Sequence, residues 1–363
     1  MSQAGAGSLL ENIEAALLQL DASAAAPTQF LELLKQQLAH LPLPGSGSGG
    51  TLQRWQALAA VGAHNLSLVK LYEGHTDALA ILSELGHNDM ATPAAEPTKP
   101  LTNAAATPPQ SWGVWAAEMP GSRVIITAID STTVQLNGEK FWCSGALTVS
   151  HGLLTAWHAD GTGPQLVRVA MRQPGVSVSS ASWGAVGMAD SASVDVSFSN
   201  AKAYLVGKPG EYLSRPGFWQ GGAGIAACWY GGAVGLALAL HQAMADTPLA
   251  SRSPFKLAAL GKVDLALHST AQLLRSAAQW IDANPISDAS SMALRLRLSA
   301  EACANTVLTE AGRALGAAAF CRNARFALAA ADLPVFIRQS HADRDFAALA
   351  ERVILTRAGP WRL

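Results

Sequence analysis

The chain is 363 residues long and carries 25 Lys and Arg against 26 Asp and Glu, a net charge of −1. Charged residues make up 14% and the hydrophobic class 50%, the balance of a well-buried globular chain with room for two or three packed regions. With no basic stripe, neither nucleic acid nor an anionic membrane surface is expected as a partner. The opening MSQAGAGSLLENIEAALLQL has no cationic segment leading into an apolar core, so no secretory signal is read and a cytoplasmic location is expected. The four cysteines, Cys143, Cys228, Cys303 and Cys321, lack CxxC spacing and read as buried reduced thiols. The nine histidines show no HExxH pairing, so no metal site is expected.

Residues 8–41 and 51–87 read as helices, because LLENIEAALLQL and LVKLYEGHTDALAILSELG repeat apolar residues at three- and four-residue spacing. PLPGSGSGG between them is a flexible connection, and the proline-rich stretch over 91–111 reads as a linker or surface arm. From about 112 to 206 the period becomes two. Seven short segments rich in Val, Ile, Thr and aromatics predict a β-sandwich or barrel. The helical period then returns, with helices expected over 221–245, 254–283, 288–318, 323–331 and 339–356. Pro254 is placed to open the second, Pro285 falls between helices, and Pro334 sits where the last connection is expected. Residues 221–240 hold no charge and are long enough to span a bilayer, but their many Gly and Ala suit a central helix buried on all sides. The order predicts an α+β chain with a helical domain and linker over 1–111, a β domain over 112–206 and a helical bundle over 207–363. No GxGxxG opening a helix and no P-loop motif supports a nucleotide fold of those kinds.

Within the β region, LNGEKFWCSGA combines an Asn137-Gly138 hairpin signal with a large aromatic two residues before a small hydroxyl. On an uninterrupted strand Trp142 and Ser144 project from one face, so one can cover a flat ring while the other bonds its edge; the alternative is an ordinary core tryptophan. Taken with GVWAAEMPGSR at 113–123, GAVGMADSASVDVSFSNAKAYLVG, AVGLALAL, AQLLRSAAQWID and GRALGAAAF, in that order, this segment resembles the acyl-CoA dehydrogenase family of flavoproteins. The resemblance implies an N-terminal helical domain, a middle β-sandwich or barrel and a C-terminal four-helix bundle enclosing FAD. It also implies a homodimer or homotetramer, an acyl substrate, and an electron acceptor it does not identify. By the same resemblance Trp142 shields one face of the flavin and Ser144 bonds near its N5 edge. Ser122 lies near cofactor and ligand phosphates, and Gly316 lets the backbone approach the FAD diphosphate. Arg252 stands in for an absent diphosphate-binding arginine, or is simply a surface residue.

The family's flavin-contacting Thr is replaced by Ala116 or Ala117, and its Asp after Gly-Ser is Arg123. Its catalytic carboxylate is missing as well. One family position falls at Ser340 or His341 and the other near Ile225. In RQSHADRDFAALAERV, His341 and Asp343 are candidates for a base or proton shuttle. Asp343 or Asp345 capping the following helix is the competing reading. His75 lies where the family's N-terminal helices approach the substrate, and reads equally as a core or surface histidine. The expected function is therefore FAD-dependent oxidation of an acyl thioester or similar carbonyl compound. Two alternatives are kept: a monooxygenase fed with reduced flavin, and a non-catalytic relative that binds a ligand or partner subunit.

Overall fold

The computed structural model describes residues 8–87, 110–356 and 361, so all but the end of the 91–111 arm lies outside the described residues. Helix α1 (Leu9–Gln19) starts at a capping box in which the Ser8 and Glu11 side chains each accept from the other's backbone N–H. Helix α2 (Ala26–Lys35) follows an Asp21 turn, so 8–41 is two helices. The 51–87 stretch also divides, into α3 (Gly50–His64) and α4 (Leu66–Glu84). Asn65 between them is extended, and its side chain accepts from Leu68 N at 2.8 Å. The asparagine offers the backbone a local partner that competes with a continuous helix.

The strands are β1 (Trp112–Trp115), β2 (Val124–Ala128), β3 (Thr133–Cys143), β4 (His151–His158), β5 (Pro164–Ala170), β6 (Val176–Val178) and β7 (Val194–Val206). Of the two expected architectures the barrel is the one observed. Strands β2, β3, β7, β5 and β4 pair in turn, and β4 meets β2 again to close the ring. Strand β1 runs parallel to β4, and β6 is antiparallel to β7. Inward residues such as Leu136, Leu154, Val167 and Ala203 fill the interior of the closed ring, on which β1 and β6 are each paired on one side only.

The C-terminal helices are α5 (Glu211–Ser214), α6 (Gly217–Ala245), α7 (Pro254–Ala283), α8 (Ser290–Leu315), α9 (Ala317–Arg322), α10 (Ala324–Phe336) and α11 (Asp343–Leu355). Helices α6, α7 and α8 pack side by side, with α10 and α3 against α6. The uncharged stretch is α6, and it is a core helix: 72% of its most apolar window is buried. A Cβ at Gly62 would meet the Cys228 carbonyl oxygen at 2.7 Å, and one at Gly235 the Ala63 oxygen at 2.8 Å. Small residues let these backbones touch. Pro334 lies inside α10, not in a connection, because its missing N–H falls in the last turn before the helix tightens into a 3-10 turn over Ile337–Gln339. Cys143, Cys228 and Cys303 are buried as expected, but Cys321 is exposed on the short α9.

One polar network locks the loop before β2 onto the barrel. Lys140, 1% exposed, gives its three protons to Glu118 Oε1 (2.8 Å), Thr155 O (3.2 Å) and Thr155 Oγ1 (2.9 Å). Trp157 Nε1 donates to the other Glu118 oxygen at 3.0 Å. Burial pushes the Glu118 carboxyl up, but the bonds from Lys140, Thr155 and Trp157 and the Lys140 charge outweigh it and hold the group below its usual value. A depressed carboxylate stabilises the fold above its unfolded pKa, and that stability is lost as pH falls through the folded one. Glu118→Ala, which strands a buried ammonium, is expected to cost about 2 kcal/mol at neutral pH, a discounted figure because Glu118 is partly solvated. Denaturant melts of both proteins from pH 7 to pH 3 check this: their stabilities should converge towards the acid end.

Candidate functional site

The end of β3 is irregular. Lys140 pairs with Val196 and Cys143 with Val194, so β3 carries one residue more than β7 over this span. That extra residue is absorbed by Trp142, which takes a left-handed backbone with φ 59°. Trp142 N donates to Asp195 Oδ1 at 3.4 Å, and Ser144 N to Trp142 O at 3.1 Å. The simple alternation expected for Trp142 and Ser144 therefore does not apply: the strand ends at Cys143, and Ser144 stands in the turn beyond it. The indole is turned outward and is 52% exposed, while Cys143 beside it is fully buried. The indole is one of several large apolar side chains open to solvent, and the left-handed backbone is what turns it there.

Ser144 is held from both sides. Trp115 Nε1 donates to its carbonyl at 3.1 Å, and its hydroxyl lies 2.8 Å from Ser193 Oγ. It borders a small cavity of about 10 Å³, the room of one water molecule, shared with Lys70, Gly74, Trp112 and Val149. Ser122 is buried, its hydroxyl accepting from Phe141 N (3.2 Å) and donating to Glu139 O (3.1 Å). Its work here is to stitch the loop before β2 to β3, directly behind Trp142.

The expected C-terminal residues lie in separate places. Gly316, between α8 and α9, has φ 68° and ψ −169°, a conformation suited to glycine, and open space where a Cβ would stand. Arg252 spends its Nε on Thr247 O at 2.9 Å, within its own loop. His341 precedes α11 with its side chain 63% exposed, and its Nδ1 lies 3.3 Å from Asp345 Oδ1. Asp345 is buried, accepts from His341 N at 3.2 Å, and pairs with Arg297 at 3.6 Å. The carboxylate that holds His341 is thus Asp345, which also serves the helix start; Asp343 is exposed at the first helical position. Ser340 and Ile225, which stand at positions of the family's catalytic carboxylate, are both buried. His75 is a core residue, its Nδ1 accepting from Trp112 N at 3.3 Å; burial first, and nearby His40, push it down to about 3.

The segment 183–193 joins the β3 end to the C-terminal helices, and sequence reasoning passed over its polar residues. Ser193 Oγ is 3.0 Å from Ser191 Oγ, which donates to Met188 O at 2.8 Å. Met188 N in turn donates to Asp332 Oδ1, on α10, at 2.6 Å. A Cβ at Gly187 would collide with the Ala331 carbonyl, so only glycine lets the segment lie on that helix. Asp332 is 1% exposed. Burial pushes its carboxyl up, Asp190 adds in the same direction, and the Met188 bond opposes both. Helix α10 leads to His341 through the 3-10 turn over Ile337–Gln339 and the extended Ser340. The signal for this chain of contacts was the Ser-x-Ser pair at 191 and 193, which two-residue spacing places on one side of the strand entry.

No protein-family model and no curated protein matches this chain. Solved structures do match. A probable acyl-CoA dehydrogenase from Mycobacterium abscessus superposes with a TM-score of 0.77 at 15% identity, covering 95% of this chain and 97% of the other. A dibenzothiophene monooxygenase from a Paenibacillus species gives 0.76 at 17% identity, over 96% and 97%. KijD3 in complex with FMN and a dTDP-linked amino-keto sugar gives 0.76 at 16% identity, over 96% and 93%. The chain therefore has the acyl-CoA dehydrogenase-like fold, over nearly its whole length.

Asp332→Ala is expected to destabilise the protein by about 1–3 kcal/mol, because it leaves the buried Met188 N–H unpaired. Asp332→Asn keeps an acceptor, removes a carboxyl that burial disfavours, and should stay close to the parent. Denaturant melts give the energies. Limited proteolysis should cut within 183–193 faster in the alanine variant alone.

Proposed function

We propose that this chain is a flavin-dependent oxygenating enzyme that holds FMN against Trp142 and Ser144. The observation that carries this is the outward indole of Trp142, seated on the β3 irregularity with a fixed hydroxyl two residues on. The residues offer a flavin ring an open aromatic face for stacking and, two residues on, a fixed hydroxyl for its edge. FMN is favoured over FAD because Arg252, the arginine that would hold a diphosphate, has its Nε tied into its own loop. Two of the structural neighbours named above are a monooxygenase and an FMN complex, which supports the same choice.

Oxygenation is favoured over acyl-thioester dehydrogenation by the ionisable groups. Removing an α-proton needs a carboxylate beside the substrate carbon, and neither Ser340 nor Ile225 supplies one. His341 is there instead. With an Nδ1–H donated to Asp345, its Nε2 would be left as the acceptor that takes a proton. When bound and reduced, the flavin supplies two electrons to dioxygen, one oxygen atom entering the substrate and the other leaving as water. Trp142 covers the ring and shields it from solvent, Ser144 orients its edge, and the Asp345–Arg297 pair fixes the His341 imidazole. The substrate class is an electron-rich heteroatom or ring.

FMN titration followed by tryptophan and flavin fluorescence tests the reading. Wild-type protein should quench, and Trp142→Ala should weaken binding by about tenfold, the scale of one lost aromatic stack. Stopped-flow mixing of the reduced complex with air should show His341→Ala slowing oxygenation of an indole probe by about 100-fold or more. Anaerobic bleaching of the bound flavin by butanoyl- or hexadecanoyl-CoA would instead establish dehydrogenation and refute oxygenation.

A further inference from the structure

A second cavity lies where the end of α3 meets α10. It measures about 20 Å³, room for one water or one small ion. Its wall includes Gly62, Ala63 and His64 of α3, Asn65, and Arg325 and Asp332 of α10. Asp332 is 1% exposed. Its Oδ1 accepts from Met188 N at 2.6 Å, a length found for bonds to an ionised oxygen. Its Oδ2 is buried without a hydrogen-bond partner, and with Oδ1 spent it is the oxygen left to the cavity. Buried acceptors are paired as a rule, so this orphan calls for a partner.

The surroundings are negative on three counts. Among the described residues Asp332 forms no ion pair. Burial pushes its carboxyl up and Asp190, another carboxylate, adds to the rise, against the Met188 bond and the Ser67 hydroxyl. The last turn of α3 carries the negative end of the helix dipole, and among the described residues no donor reaches the Gly62 or His64 carbonyl. The nearby bases do not answer this charge. Arg325 is exposed and spends Nη2 on Ala63 O at 3.0 Å. Burial first, and then Arg325, hold the His64 imidazole below its usual value, so it is neutral at pH 7. A water would complete the hydrogen bonding but leave the carboxylate uncompensated.

We propose that this cavity binds one monovalent alkali cation, held by Asp332 Oδ2 and by the carbonyl oxygens that end α3. One carboxylate balances one positive charge. A divalent ion is a poorer match: Ca²⁺ gathers a larger set of oxygens and Mg²⁺ keeps several of its waters, more than this space admits. No group of three His, Cys, Asp or Glu side chains suited to a metal occurs among the described residues. The proposal stands apart from the flavin reading, but its effect reaches the same place. Asp332 would hold the cation with one oxygen and Met188 N with the other, and contacts run on from Met188 through Ser191 and Ser193 to Ser144. Cation occupancy thus sets how firmly the 183–193 segment is fastened to α10.

Urea melts in NaCl, KCl or choline chloride at equal ionic strength test this, since choline is too large for the cavity. Wild-type protein should gain about tenfold in its folding equilibrium constant in Na⁺ or K⁺ over choline, when the ion is at about ten times its dissociation constant. Protease should cut within 183–193 correspondingly more slowly. Asp332→Asn keeps an acceptor for Met188 N and removes the charge. It should match the parent in choline and gain nothing from either alkali ion. Crystals of wild-type protein soaked in RbCl should show an anomalous scattering peak in the cavity. Equal wild-type stability in all three salts, or a soaked cavity that holds only water, overturns the proposal. So does an alkali dependence that Asp332→Asn retains, which places the ion elsewhere. The wild-type salt series and the rubidium crystals decide the matter even where the variant fails to fold.

Discussion

The pairing of β3 with β7 is the constraint from which the site follows. A closed barrel cannot let one strand run a residue long without storing the excess somewhere. Here it is stored at Trp142, whose backbone is forced left-handed so that Cys143 stays in the core. An indole that regular pairing would have placed against a neighbour is turned out of the wall. Behind it the loop before β2 is held by Ser122 and by the Glu118–Lys140 pair. The irregularity is therefore backed by a hydrogen-bonded surface.

The second organising element is the 183–193 segment. It contacts α2 through Asp190 and Ala26 N, α4 through Ser67 and Met188, α10 through Asp332, and the β3 end through the serines. All three regions of the chain meet on it. Two of its residues, Met188 and Ala192, have left-handed backbones without being glycine, and such strain persists where surrounding contacts over-determine it.

Much of the fold was legible in the residues. The switch of period from about four to two and back located the barrel between helices, and the Gly- and Ala-rich stretch was rightly a buried helix, because each follows from how far apart side chains recur along one face. The breaks at Asn65 and Asp21 were not legible, since a single side chain competing for backbone protons leaves the apolar spacing intact. Pro334 misled for the opposite reason: a proline in the final turn removes one bond without ending the helix. At the site, the sequence pointed to Trp142, Ser144 and His341. The geometry that gives them meaning depends on partners distant in the chain, a strand register for the first, Ser191 and Ser193 for the second, and a choice between two nearby aspartates for the third. The pairing of His341 with Asp345 turns on helix phase at one end, and spacing alone does not decide it.

The close seating of α3 on α6 has a consequence for how the molecule is made. Gly62 waits for a surface that lies more than a hundred and fifty residues downstream, and the barrel must be synthesised before that surface emerges. Until then the N-terminal helices have an uncovered apolar flank, and α6, with no charge along its middle, is the least tolerable segment to leave bare in water. Contacts of such long sequence separation pay a large loop-closure cost before they return anything. Packing of the N-terminal helices onto α6 therefore waits until α6 has been synthesised.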